Sequence, residues 1–147
     1  MQRVPILFFC ISYAQQVAII PITKRSTFGL HTHQITWERP LLDPYHIRTN
    51  ATSLTIPSTG IWHIHFTMTL TFANPSFFQY FINGRLVATR GTDPTGYGLA
   101  YISESLFLQL LENDVFSLTI ACGPINPCGN MDSTRLAGSN HVVFIKI

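Results

Sequence analysis

The sequence predicts an all-β domain, a ten-stranded jelly-roll β-sandwich. Three observations carry that expectation. Apolar and polar residues alternate with period two in short stretches, clusters of Gly, Pro, Asn and Asp separate those stretches, and no segment holds a 3.6-residue period with caps at both ends. At 147 residues the chain is long enough for one domain with a real core. We place that domain at residues 16–147, behind an apolar arm at residues 1–15.

The first strand is expected in "QVAIIPIT" from Gln16 to Thr23, where Pro21 suggests an edge or a bulge. "HQITWE" at 33–38 follows, then the Pro-rich "RPLLDPYHI" and a short strand in "TSLTIP" ending at Pro57. The next element is long. In "GIWHIHFTMTLTF", Trp62, Ile64, Phe66, Met68, Leu70 and Phe72 share one parity, and His63, His65, Thr67, Thr69 and Thr71 share the other. "SFFQYFINGRLVATR" reads as a hairpin, because Asn83-Gly84 accepts the positive φ angles of a type I′ turn. "GTDPTGYG" is a loop. "LAYISESLFLQLLENDVFSLTIAC" supplies two strands around a turn at Glu112-Asn113-Asp114, with Leu106, Leu108 and Leu110 alternating before it. "GPINPCGNMDSTRLAGSN" is a long loop and "HVVFIKI" the closing strand. Regularly spaced strands without helices imply a sandwich of jelly-roll type.

Composition narrows the function. Charged residues are 11% of the chain, against about 25% in ordinary soluble domains, and the mean hydropathy is positive. So few charges leave little to solvate a free surface, so we expect partner chains to cover part of it. The net charge of +2 comes with no Lys/Arg cluster, which argues against nucleic acid as a partner. The N-terminal "MQRVPILFFCISYA" has Arg3, a short apolar run and Ser12-x-Ala14, the pattern of a secretory signal. The run is too short to span a membrane. We favour a retained arm that adds a strand or an assembly contact over a cleaved signal.

Several residues invite a chemical role. His63 and His65 point the same way from one strand and could share a metal. The H-x-H pattern resembles that of cupins, but Met68, Thr69 and Leu70 occupy the stretch where a cupin carries Glu. We therefore expect no metal and no cofactor, with His63 and His65 as the only candidate ligands. His31 and His33 are expected to face solvent. Asp43, Asp93, Asp114 and Asp132 stand beside Pro, Gly or Asn and read as turn formers rather than an acid–base pair. No nucleophile elbow, P-loop or dinucleotide fingerprint is present, and we expect no enzymatic activity. Cys122 and Cys128 bracket "CGPINPC"; two states fit, a disulfide across the loop or free thiols. Asn50-Ala51-Thr52 is a formal glycosylation sequon.

The order of motifs resembles the C1q/TNF-like domains. "LTIPSTGIWHIHFTMTL" is similar to their entry into the third long strand, and "FFQYFINGRLVAT" to their Asn-Gly hairpin. "ESLFLQLLENDVFSLTI" resembles their L-x-L-x-x-G-D strand pair, with Asn113 in place of the usual Gly. "AGSNHVVFIKI" resembles the closing strand, without its usual Gly. The resemblance runs from about Gln16 to Ile147 and carries no collagen-like stalk. It implies a homotrimer in which the histidine strand and the terminal strand lie side by side against a threefold axis. Trp62, Ile64 and Phe66 would fill the protomer. Ile61, His63, His65, Thr67, His141, Val143, Ile145 and Ile147 would line the trimer interface. Ligand contacts are expected on the two long loops, at Tyr97 and Arg135.

These observations lead to a non-enzymatic, homotrimeric structural or recognition protein. It is expected outside the cell or at a particle surface, as a component of a virion capsid or spore coat alongside other coat proteins. The first rival is a secreted C1q/TNF-like ligand for a receptor or glycan. The second is a cupin-like metal enzyme.

Overall fold

The computed structural model describes residues 16–23, 28–71, 73–92, 98–131 and 140–147. The arm at 1–15, Tyr97 and Arg135 lie outside them, as do Asp93 and Asp132. Among the described residues all regular structure is strand.

Ten strands form in chain order: β1 (Val17–Pro21), β2 (Thr32–Gln34), β3 (Leu54–Thr55), β4 (Gly60–Thr71), β5 (Ser76–Ile82), β6 (Arg85–Thr92), β7 (Ala100–Leu110), β8 (Val115–Ala121), β9 (Asn130–Met131) and β10 (His141–Lys146). They make two five-stranded antiparallel sheets. The first runs β1-β10-β4-β7 with β9 on β4, and the second runs β2-β8-β5-β6 with β3 on β8. The inward faces interleave two by two along each strand. Trp62, Ile64, Phe66, Phe144 and Val142 of the first sheet meet Phe78, Tyr80, Phe116, Leu118 and Ile120 of the second, all buried. Phe66 packs on Phe78 and Phe116 meets Phe144 edge to face, at centroid distances of 5.0 Å and 5.3 Å.

Two turns show why these strands meet as they do. Asn83 and Gly84 have φ of 52° and 76°, the pair of positive values a type I′ turn needs. Asn113 takes φ 72° between β7 and β8, a left-handed position that Asn tolerates almost as well as the Gly usual there. Asp114 closes that turn by accepting from Leu111 N at 2.8 Å, and it also accepts from Asn83 Nδ2 at 2.9 Å. Gly60 opens β4 for a different reason. A Cβ there would stand 2.7 Å from Lys146 Cε, and the lysine crosses that space to donate to Ser58 Oγ at 3.0 Å.

Two local expectations are corrected. "HQITWE" is not one strand. β2 ends at Gln34, and Trp37 leaves the second sheet to bridge Ile22 beside the first, so the segment turns a corner of the sandwich. The long loop after β8 is also interrupted, because Asn130–Met131 pairs with Thr71 and Leu70 as β9.

Candidate assembly face

The outward side of β4 carries Ile61, His63, His65 and Thr67. Its two neighbours set what surrounds them. β10 places His141 opposite Thr67, Val143 opposite His65 and Ile145 opposite His63. β7 places Ser103 opposite Thr67, Ser105 opposite His65 and Phe107 opposite His63. Directly paired residues of antiparallel strands share a face, so these side chains form one surface. Ile147 N donates to Ile61 O at 2.9 Å and carries the chain end onto the same row. The structure thus brings together Ile61, His63, His65, Thr67, His141, Val143, Ile145 and Ile147.

The centre of the face is a lattice of imidazoles and hydroxyls. Ser105 Oγ lies 2.8 Å from His65 Nδ1 and 3.1 Å from His63 Nε2. Ser103 Oγ lies 3.3 Å from His65 Nε2, and Thr67 Oγ1 is 3.3 Å from His141 Nδ1. A hydroxyl donates only one hydrogen bond. Ser105 therefore serves at most one ring as donor, and at least one of His63 and His65 presents an N–H to it. The His63 ring stacks on Phe107 at 4.5 Å and 4°. Burial, and second the neighbouring His65, hold the His141 imidazole below its ordinary value.

Around that centre the surface is apolar. Phe107, Tyr101, Ile147 and Ile61 are 63%, 58%, 66% and 47% exposed in the single chain. No Lys, Arg, Asp or Glu projects from the described outer face of β1, β10, β4 and β7. The charged residues among the described ones lie in loops and turns, at strand ends, or on the open edge between the sheets. On that edge Arg90 Nε stands 3.8 Å from Glu104 Oε2. That pair is half-exposed, and such pairs contribute little, ~0–1 kcal/mol. Behind it Tyr80 is buried with its phenol oxygen unpartnered among the described residues, and burial, then Glu104, push its ionisation upward.

Ser103, Ser105, Tyr101 and Phe107 were not singled out in the sequence. Their signal was available: they alternate with Ile102, Leu106 and Leu110 along β7, and pairing that strand with β4 puts them beside the histidines. The expectation for His33 is corrected. His31 is exposed, but His33 is half-buried with its ring 6.0 Å from Phe28.

The His63 and His65 rings are 6.0 Å apart and turned to the serines. No three or more His, Cys, Asp or Glu side chains among the described residues converge on one metal position. Of the aspartates, Asp43 accepts from Ile47 N and Arg48 N at 2.6 and 2.9 Å, and with Asp114 it serves a turn. Cys122 and Cys128 are joined by a disulfide across the loop after β8. No helix among the described residues is long and apolar enough to cross a membrane.

No family model and no curated protein matches the chain. In structure it is similar to murine APRIL, as seen in a crystal structure at pH 8.0. The TM-score is 0.61 and the identity 14%, over 91% of this chain and 100% of that one. A likeness at that identity speaks for the fold, and with the two antiparallel sheets it gives the conclusion that this chain has an all-β, TNF-like jelly-roll fold, with ten strands among the described residues.

Proposed function

We propose that the chain is a non-enzymatic homotrimer whose subunits meet through the outer face of the β1-β10-β4-β7 sheet. One observation carries this reading: among the described residues that face has no Lys, Arg, Asp or Glu, and it leaves Phe107 and Ile147 largely bare and Ile61 half exposed. An antiparallel sheet with one face in water normally alternates apolar and polar, and charged side chains do much of the solvating. Covering an exposed Phe or Ile stabilises by roughly 1.5–3 kcal/mol per side chain. The hydroxyls and imidazoles at the centre can enter an interface because they already satisfy one another. A second copy is the occupant that fits, since an uncharged surface finds its complement in itself, and closed symmetry is the usual outcome. The resemblance to C1q/TNF-like domains selects threefold closure. An obligate interface of this kind buries well over ~2,000 Å².

The role that goes with it is structural or recognition-based, at a particle surface such as a virion or spore coat. The outer face of the second sheet supports a larger assembly. Phe77, Gln79 and Phe81, with Ser117, Thr119 and Ala121 beside them, also bring no charge, and Phe77 is 55% exposed. The disulfide favours a second reading, a secreted ligand, because such bonds persist in oxidising compartments. Both readings place the protein outside the cytosol.

Phe107→Asp tests the interface. Phe107 is mostly exposed in the protomer, so the substitution spares the fold, yet in a trimer it would bury three unpaired carboxylates. We expect sedimentation to show a folded monomer. A variant that remains trimeric excludes this face as the contact.

A further inference from the structure

The turn from Thr49 to Ser53 uses the Asn50 side chain through one atom, its Oδ1, while the Asn50 backbone N donates to Ser53 O at 3.5 Å. Asn50 Oδ1 accepts from Thr52 N at 2.9 Å, Ser53 N at 2.9 Å and Thr52 Oγ1 at 3.1 Å. The side chain is exposed, and no acceptor among the described residues takes its Nδ2. Other asparagines are committed through nitrogen. Asn74 Nδ2 donates to Pro127 O at 2.8 Å, and Asn83 Nδ2 donates to Asp114 Oδ1 at 2.9 Å.

We infer that Asn50 is the attachment site of an N-linked glycan. Asn50-Ala51-Thr52 meets the acceptor rule, whereas Asn74-Pro75-Ser76 has the spacing but the middle proline that bars transfer. The Cys122–Cys128 disulfide points to the route, since such bonds belong to an oxidising compartment; entry to it requires that Arg3, the apolar run and Ser12-x-Ala14 act as the secretory signal they resemble rather than as the retained arm favoured above. The donor is a lipid-pyrophosphate-linked oligosaccharide. A bond forms between Asn50 Nδ2 and the anomeric carbon of the sugar, the bond from that carbon to the pyrophosphate oxygen breaks, and the nitrogen gives up one proton. The product keeps its carbonyl oxygen, so all three hydrogen bonds of the turn survive the modification. Asn50 precedes β3, which pairs with β8 in the second sheet and with none of the strands of the proposed trimer face.

The test uses the full chain made in cultured animal cells, digested with peptide:N-glycosidase F in 18O-water and mapped by mass spectrometry. We expect a gel-mobility shift on digestion and conversion of Asn50 to labelled Asp. Thr52→Ser keeps the shift. Asn50→Asp, which retains an acceptor oxygen for the turn, loses it. Recovery of the Asn50 peptide wholly unmodified overturns the inference, as does a shift that persists in Asn50→Asp. The inference does not rest on assembly: a glycosylated chain that runs as a monomer leaves it standing and removes the trimer instead.

Discussion

The described outer faces of the two sheets are alike in lacking Lys, Arg, Asp and Glu and unlike in what replaces them. On the first sheet the centre is occupied by His63, His65 and His141, tied to Ser103, Ser105 and Thr67, with bare apolar side chains around them. On the second sheet the polar residues include Gln79, Thr119, Ser117, Thr89, Thr32 and Gln34, none of which titrates; Thr119 donates to Gln79 at 3.1 Å. Both faces expose apolar side chains, Ile61, Phe107 and Ile147 on one and Phe77 on the other, while His63, His65 and His141 stand on the first. Both faces therefore fit an interface, and the first is the one proposed for the trimer; its mutually satisfied polar centre tolerates being sealed from water.

The largest expected effect comes from placing the same charge on each face. Phe107→Asp should abolish the trimer outright, while Phe77→Asp should leave three chains together and weaken only association between trimers. Sedimentation of both variants reads the difference, and a reversed result would exchange the roles of the two faces. Removing the disulfide is a smaller change. Cys122 follows β8 and Cys128 is buried, so Cys122→Ser with Cys128→Ser should lower stability by about 2 kcal/mol through loop entropy, with the trimer mass unchanged. Denaturant titration measures it.

The smallest effect is the most specific to the first face. Burial and His65 depress the folded-state value of His141, so the unfolded chain takes up its proton first. The stability contributed is full above about 6.5, the ordinary histidine value, and is lost as pH falls below it toward the depressed folded value. The titratable groups facing His141 across the sheet are His63, His65 and Tyr101, and among the described residues no carboxylate shares that face. Three copies around an axis would compound the repulsion. We expect midpoints of unfolding and of trimer dissociation to fall in mild acid, and His65→Gln with His141→Gln to flatten that dependence. Equal acid sensitivity in wild type and the double variant would show that these rings do not titrate on assembly.

Much of this architecture was legible in the sequence, because period-two alternation states which side of a strand is buried. Trp62, Ile64 and Phe66 were readable as core from "GIWHIHF" alone, and Asn83-Gly84 as a turn from its φ tolerance. The partners of the histidines were less legible. Ser105 and Phe107 stand on a strand some forty residues away, and their meeting with His63 and His65 depends on register, which no local pattern carries. β2 was overread for a similar reason. Ile35 and Trp37 alternate correctly, but the chain changes sheet between them, and both are buried on either course.

The central claim is that the uncharged face of the β1-β10-β4-β7 sheet is covered by two further copies of the chain. The native mass of the purified protein at neutral pH tests it most directly. A single species with the mass of three chains is the predicted result, and a stable, monodisperse monomer would contradict it.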